Sequence, residues 1–221
     1  SPKPYLETGN IEAHIIADML RIESITAELR EFKEVLAQLK KNFLINGNPL
    51  KSINPFDRGL SYGDGAFRTF LVKNGYPINW GMHYKKLKVD AEIFKINVPT
   101  QRALLLDIKK LFSINKTYIC KIIITRGISN QGYQYKKNIK STRIVLKINY
   151  KKINKLSYLN WVKLKVCKTR ASHNELYRGA KHLNRMDNVL AKAELSNSVF
   201  DGVMLDKDGF INECVSSNIF A

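Results

Sequence analysis

Residues 179–185 read GAKHLNR, and residues 212–218 read NECVSSN. Lys181, in the first stretch, is an amine held just before an apolar-periodic segment, and Glu213, in the second, arrives on a predicted strand. A lysine of this kind can form a Schiff base with an aldehyde, and a carboxylate can keep a pyridinium nitrogen protonated. These are the two protein groups that pyridoxal phosphate needs, although most Lys–Glu pairs in proteins are unrelated surface charges.

The sequence motifs around Lys181 and Glu213 support a functional role for this pair. The matching segments are FLING at 43–47, FDRGLSYGDGAFRT at 56–69, TRG at 125–127 with GY at 132–133, KHLNRMDNVLAKAE at 181–194, and DGVMLDKDGFINECVSSNIF at 201–220. Together they resemble the fold-type IV pyridoxal-phosphate enzymes, and within them the 4-amino-4-deoxychorismate lyases. HLNR after the lysine and GY after TRG resemble the lyases. YGDG, the lysine and the glutamate are shared with branched-chain and D-amino-acid aminotransferases.

The resemblance implies a mixed α/β (α+β) fold in two domains. A small α/β domain would cover residues 42–152, and residues 153–221 would form part of the large domain that binds pyridoxal 5'-phosphate. Members of this family continue beyond the SSNIF motif, so the resemblance indicates a truncated large domain and a fragment that is inactive by itself. Residues 1–41 lie outside the resemblance, and their apolar spacing predicts a helical extension of unassigned role.

Local patterns predict the elements of these domains. Asn46-Gly47 and Asn74-Gly75 each lie between short apolar runs, which is typical of β-hairpins. Helical periodicity predicts helices at 83–96, 101–112 and 181–195. The lysine-rich stretch 150–158 is interpreted as the interdomain linker. β-Branched and apolar runs predict strands at 118–125, 144–148 and 161–167, and a hairpin of residues 203–205 and 210–214 turned at 207–209.

Composition bounds the class of protein. With 221 residues and 44% hydrophobic residues the chain can bury a core, and no apolar run approaches the ~20 residues of a membrane span. Its three cysteines are widely spaced and form no CxxC motif, which predicts a reduced cytoplasmic protein with neither a zinc site nor disulfides. We also find no GxxxxGK, GxGxxG or HExxH motif.

The formal net charge of +18 is the usual signature of a nucleic-acid-binding protein. Here the lysines are scattered and form no arginine-rich arm, and the chain is also rich in Ile and Asn. We interpret these charges as solvent-exposed lysines that follow from a bias in composition, and not as a surface that binds nucleic acid. Attraction of an anionic substrate is a further possibility.

Five residues are the candidates for cofactor binding. By resemblance, Lys181 carries the cofactor and is the catalytic base, and Glu213 holds the pyridine nitrogen. Ser217 and Asn218 match positions that help to seat the cofactor. Lys86 stands where most relatives have an arginine that binds the phosphate. A lysine balances the charge but lacks the two-pronged geometry of a guanidinium.

Substrate contacts are expected from cations and hydrogen-bonding groups in the matched segments. The candidates are Arg68, Arg126, Tyr133, Arg170 and Asn174, and the alternative for each of them is a role as a structural salt-bridge residue. His182 is expected to pack behind the site rather than to act as a base, because Lys181 already supplies that function.

The resemblance implies an aminodeoxychorismate lyase that makes 4-aminobenzoate and pyruvate for folate synthesis, as a cytoplasmic homodimer acting on a small anionic substrate. An aminotransferase of the same fold is the first alternative. A non-catalytic basic binding protein on an incomplete enzyme scaffold is the second.

Overall fold

The computed structural model describes residues 18–31, 42–49, 52–152 and 161–220. The chain divides into two compact units, Ser1–Lys41 and Asn42–Ala221. In the first unit, residues 18–31 form one helix, α1. This helix covers part of the predicted helical extension, and the rest of that extension lies outside the described residues.

The second unit begins with a five-stranded antiparallel sheet. Its strands are β1 (Phe43–Ile45), β2 (Gly65–Lys73), β3 (Tyr76–Pro77), β4 (Thr117–Thr125) and β5 (Thr142–Asn149), in the order β1-β5-β4-β2-β3. The predicted hairpin at Asn74-Gly75 is confirmed as the β2–β3 connection. The turn at Asn46-Gly47 is also present, but β1 pairs with β5, and residues 50–51 of its predicted partner lie outside the described part of the chain.

Three helices accompany this sheet: α2 (Arg58–Tyr62), α3 (Trp80–Ile93) and α4 (Gln101–Leu111). The sequence predicted α3 and α4 within a few residues of their bounds, but not the short α2. Helices α3 and α4 share one hydrophobic core with the sheet, which includes Leu87, Ala91, Leu104, Ile108, Val72, Ile122, Ile124 and Val145. Burial of each large apolar side chain contributes roughly 1.5–3 kcal/mol, so this core is the main source of stability for the unit.

A smaller sheet follows, with strands β6 (Leu164–Val166), β7 (Asp201–Leu205) and β8 (Ile211–Cys214). β6 is parallel to β7, and β7 forms an antiparallel hairpin with β8, as the sequence predicted for the hairpin. The β6–β7 crossover carries a 3-10 helix (Glu175–Tyr177) and α5 (Met186–Ala193). The prediction that the helix begins at Lys181 is wrong, because α5 starts five residues later and Lys181 lies in the irregular segment before it.

The mixed α/β fold class is therefore confirmed. The two sheets have separate cores, the second one built around Cys167, Ala171, Ala191 and Met204. A domain boundary near residue 152 stays a prediction, since Asn42–Ala221 forms one compact unit and residues 153–160 of the predicted linker are outside the described ranges. Cys120, Cys167 and Cys214 are free and buried. Among the described helices, none has the length and apolar character needed to cross a membrane.

Candidate active site

The YGDG motif allows a close contact between the first sheet and the segment that precedes α5. Gly63 ends α2 in the left-handed conformation, with φ of 63°, and Gly65 begins β2. A Cβ atom on Gly65 would lie 2.6 Å from the carbonyl oxygen of Ile124 and 2.6 Å from a methyl carbon of Leu183. Glycine at this position therefore allows the segment around Leu183 to lie directly against β2.

This contact fixes the backbone of Lys181. The Phe67 amide donates to the carbonyl of Lys181 at 3.0 Å, and the Leu183 amide donates to the carbonyl of Gly65 at 3.1 Å. The Lys181 amide donates to the buried carboxylate of Asp90 at 3.3 Å. The carbonyl and the amide of Lys181 thus have partners on β2 and α3, respectively. These bonds fix the backbone position from which the Lys181 side chain extends.

A cavity of about 820 Å³ opens beside this segment. Both groups of the predicted pair, Lys181 and Glu213, line it. Three further predicted residues, Asn174, Ser217 and Asn218, line the same cavity. The other lining residues include Phe67, Thr69, Ser172, His173, Tyr177, Arg178, Arg185 and Asn188.

The surroundings of Lys181 favour its neutral form. Partial burial of the amine lowers its pKa most, and the positive charges of Arg68 and Arg185 lower the pKa further. The negative charges of Glu213 and Asp90 act in the opposite direction but do not outweigh these effects. A lowered pKa increases the fraction of unprotonated amine at neutral pH, and that form is the nucleophile and the base.

The Glu213 carboxylate is held from the side of α5. The Asn188 side-chain amide donates to its Oε1 at 3.4 Å, and the Nη1 atom of Arg185 lies 3.5 Å from the same oxygen. Asn188 also donates to the carbonyl of Val215 at 3.1 Å, which fixes the amide itself. The glutamate side chain remains 43% exposed, so it is accessible from the cavity.

Asp201, at the start of β7, anchors the turn that carries Ser217 and Asn218. Its buried carboxylate accepts hydrogen bonds from the amides of Ser216 and Ser217, at 3.1 and 2.7 Å, and from the Ser216 hydroxyl at 3.0 Å. Burial acts to raise the pKa of Asp201, but hydrogen bonds from this turn and from the Gly202 amide outweigh it and lower the pKa below its usual range. The turn is thus fixed by an ionised carboxylate beneath it.

Two of the predicted residues lie behind the wall of the cavity. The Lys86 ammonium contacts Asp90 and the carbonyl of Gly179, the latter at 3.0 Å. Arg68 lies with its Nη1 atom 3.5 Å from Asp90, and its buried Nε atom has no hydrogen-bond partner among the described residues. Neither side chain lines the cavity, although Gly179 does. Binding of phosphate by Lys86 and of substrate by Arg68 stay predictions.

Three more predicted substrate residues lie away from the cavity. Arg126 is buried, pairs with Asp64 at 2.7 Å, and stacks on the ring of Tyr135 at 3.6 Å. Tyr133 is 87% exposed, and Arg170 is also exposed. None of these three lines the cavity, and the contacts of Arg126 are those of a structural residue.

Sequence reasoning missed Arg185 and Asn188, both of which line the cavity and contact Glu213. Arg185 was part of the quoted HLNR motif, and its position four residues after Lys181 was the available signal. His182 packs against the rings of Phe94 and Tyr177, with centroid distances of 6.3 and 5.0 Å. His182 also lines the cavity, so it does not lie behind the site as expected, and its role as a packing residue rather than a base stays a prediction.

The donor set of the cavity fits pyridoxal phosphate. An amine with a lowered pKa and a carboxylate line the same space, and hydroxyl and amide groups of Ser217 and Asn218 complete the polar lining. These are the groups that would carry the aldehyde carbon, pair with the ring nitrogen and donate hydrogen bonds to an anionic group.

Comparison with known proteins gives consistent matches. Residues 65–221 match the family described as amino-transferase class IV. Aminodeoxychorismate lyase of Vibrio harveyi is 31% identical over 183 residues, which cover 80% of this chain and 66% of that protein. Branched-chain-amino-acid aminotransferase-like protein 2 of Arabidopsis thaliana is 27% identical over 178 residues, which cover 77% of this chain and 32% of that protein.

Among solved structures, 4-amino-4-deoxychorismate lyase from Pseudomonas aeruginosa superposes with a TM-score of 0.74 at 32% identity. The match covers 80% of this chain and 65% of that one. The chain therefore spans about two thirds of the length of these lyases. Their similarity confirms the resemblance that the sequence motifs indicated, and with it the fold-type IV architecture.

Proposed function

The chain belongs to the amino-transferase class IV family, and from this premise we propose that it is a pyridoxal-phosphate-dependent aminodeoxychorismate lyase. The reaction would convert 4-amino-4-deoxychorismate to 4-aminobenzoate and pyruvate. One observation carries the proposal: Lys181 and Glu213, 32 positions apart in the printed sequence, line the same cavity. The 31–32% identity to two proteins with this lyase name supports the choice of reaction within the family.

The chemistry of the residues that line the cavity suggests a role for each of them in the proposed reaction. When bound, pyridoxal phosphate supplies the electron sink that accepts charge from the substrate carbon. Lys181 would hold the cofactor covalently before the substrate amine replaces it. Glu213, held by Asn188 and Arg185, would keep the ring nitrogen protonated. Ser217 and Asn218 would donate hydrogen bonds to the cofactor.

Lys181 then moves the protons. Once released, its neutral amine would take the proton from the ring carbon that bears the substrate amine. The enolpyruvyl oxygen leaves as the ring becomes aromatic, and the Lys181 ammonium would return a proton to the methylene carbon of the departing pyruvate. A positioned proton-transfer group typically contributes roughly 10²–10⁴-fold to the rate. The lowered pKa of Lys181 favours the form that this first step requires.

The charge around the cavity suits an anionic substrate. 4-Amino-4-deoxychorismate carries two carboxylates, and Arg178 and Arg185 line the cavity. The net charge of +18 would also raise the local concentration of such a substrate at low ionic strength. We further propose that the enzyme acts in the cytoplasm, in folate synthesis, as a homodimer.

The test combines chemical labelling with an assay. Because the 221-residue fragment is expected to be inactive by itself, the chain is extended by the C-terminal segment of a lyase of this family, and the extended protein is purified. It is incubated with pyridoxal phosphate, reduced with borohydride and mapped by mass spectrometry, and 4-aminobenzoate formation is followed by fluorescence. We expect the label on Lys181 and loss of both label and product in Lys181→Ala. Lys207→Ala, which changes an exposed lysine in the β7–β8 turn, is the matched control.

Each alternative has its own outcome in this test. Label on another lysine would contradict the assigned site. A stable aminated cofactor after mixing with an amino acid, without 4-aminobenzoate, would instead identify an aminotransferase. Salt-dependent retention on nucleic acid, without any labelled lysine, would favour the basic binding protein.

A further inference from the structure

The Arg185 side chain contacts both neighbours of Lys181. Its Nε atom donates to the carbonyl of His182 at 3.1 Å, and its Nη2 atom donates to the carbonyl of Ala180 at 3.3 Å. These carbonyls belong to the residues immediately before and after Lys181. The guanidinium therefore bridges the segment whose centre carries the reactive amine.

The same guanidinium reaches across to β8. Its third nitrogen, Nη1, lies 3.5 Å from the Glu213 carboxylate, and the planar group lies over the ring of Phe67 at 5.6 Å. Its side chain is 27% exposed, so most of it is shielded from water. Three nitrogens of one rigid plane thus contact the lysine segment at two points and the glutamate at a third.

We infer that Arg185 is a positioning residue, whose planar guanidinium fixes the Lys181 segment and the Glu213 carboxylate relative to each other across the cavity. The inference rests on the proposed function, because it matters only if one molecule bridges the amine and the carboxylate. Functional groups must be held to within about 0.5 Å to act together on one bound molecule. A lysine in place of Arg185 would supply a single ammonium and could not reproduce a rigid contact to three acceptors.

Arg185 also acts on Lys181 through its charge, since it is one of the two cations that lower the pKa of that amine. Position and charge can be separated by two substitutions. Arg185→Lys keeps the charge and removes the fork, whereas Arg185→Met keeps an unbranched apolar side chain and removes both. Arg102→Met, on the exposed side of α4, is the matched control.

Two measurements distinguish these effects. The first is the dissociation constant for pyridoxal phosphate, followed by absorbance. The second is the pH midpoint for acylation of Lys181 in cofactor-free protein, measured by mass spectrometry with Lys207 as an internal reference. We expect roughly tenfold weaker cofactor binding in both Arg185 variants, as for loss of a charge-assisted hydrogen bond. The acylation midpoint should rise in Arg185→Met and stay near the wild-type value in Arg185→Lys.

Wild-type cofactor affinity in Arg185→Lys would overturn the inference. A flexible ammonium at position 185 would then position the two groups as well as the planar guanidinium does. Equal weakening in Arg102→Met would overturn it too, since the effect would not belong to the site. Failure of the proposed function looks different: wild-type protein would then form no adduct at Lys181. In that case an unchanged acylation midpoint in Arg185→Met would still count against the contact between Arg185 and the lysine segment.

Discussion

The backbone amide of Lys181 donates a hydrogen bond to the carboxylate of Asp90, at 3.3 Å. Asp90 lies on α3, has no solvent exposure, and also pairs with Lys86 and Arg68. One buried carboxylate therefore joins α3 and β2 to the residue that carries the proposed chemistry. Because two cations depend on it, its charge contributes to stability as well as to the properties of the lysine.

The first prediction concerns the charge of Asp90. In Asp90→Asn the side-chain oxygen can still accept from the Lys181 amide, but Lys86 and the largely buried Arg68 lose their counter-charge. We expect the free energy of unfolding to fall by about 3 kcal/mol, at the low end for breaking a buried ion pair because Lys86 is partly exposed. Urea unfolding monitored by circular dichroism measures this change.

The same substitution should lower the pKa of Lys181, because the Asp90 charge raises it in the native protein. The acylation midpoint of Lys181 should therefore move to lower pH, opposite to the shift expected for Arg185→Met. Glu92→Gln makes the same charge change at an exposed position of α3 and should alter neither quantity. A rise in the midpoint for Asp90→Asn would contradict this electrostatic account.

The second prediction separates a structural from a substrate-binding role for Arg126. Its guanidinium pairs with Asp64 and donates to the carbonyls of Phe94 and Lys95, at 2.7 and 3.0 Å. Arg126→Met should reduce the free energy of unfolding by about 3 kcal/mol, because Asp64 keeps only one of its two partners and the part-buried carbonyls of Phe94 and Lys95 lose theirs. The KM of the folded fraction, measured at low temperature, should remain unchanged. If Arg126→Met instead had normal stability and a raised KM, Arg126 would bind substrate.

Much of the fold could be predicted because its signals are local. Asn74-Gly75 adopts positive φ at both residues, 52° and 80°, which is the conformation that this dipeptide favours in a two-residue hairpin. The β-branched run of β4 pairs along its whole length with β2. The convergence of Lys181 and Glu213 was predictable for a different reason, since it followed from motifs shared with a family.

The partners of the buried charges could not be predicted, because a sequence shows that a cation exists but not which carboxylate it meets. Arg126 meets Asp64 only because β4 and β2 pair in one register, which brings positions 62 residues apart together. The start of α5 was misplaced for a related reason. Backbone hydrogen bonds to β2 hold residues 181–183 outside the helix, with His182 in an isolated bridge to Ala66, so tertiary pairing overrides the local helical pattern.

The third prediction is a pH dependence of stability from Asp201. Because its pKa is lowered in the folded protein, its contribution is fully present above the unfolded-state value of about 3.9 and is lost as pH falls through the folded pKa. Asp201→Asn should therefore lower the free energy of unfolding by roughly 1–3 kcal/mol at pH 7, with a smaller difference from wild type toward pH 3. Urea titrations at both pH values test this, with Asp208→Asn in the exposed β7–β8 turn as control. A difference that is constant with pH would show that the charge of Asp201 is not responsible.

The fourth prediction concerns Lys86, which stands where arginine is expected by resemblance. Its ammonium contacts the Gly179 carbonyl, and Gly179 lines the cavity, so the charge of Lys86 lies next to a residue of the cavity wall. Lys86→Ala should weaken binding of pyridoxal phosphate by roughly tenfold, whereas Lys86→Arg should keep or improve it, because the fork can pair with two phosphate oxygens.

The comparison that isolates the phosphate uses pyridoxal, which has the same ring and aldehyde but no phosphate group. If Lys86 binds the phosphate, Lys86→Ala weakens binding of pyridoxal phosphate and leaves that of pyridoxal unchanged. Lys88→Ala, an exposed lysine on the same helix, controls for the loss of one positive charge near the site. If Lys86→Ala weakens binding of both compounds equally, Lys86 acts through Asp90 and the position of Lys181 instead. Equal affinity in wild type, Lys86→Ala and Lys86→Arg would remove Lys86 from the cofactor site altogether.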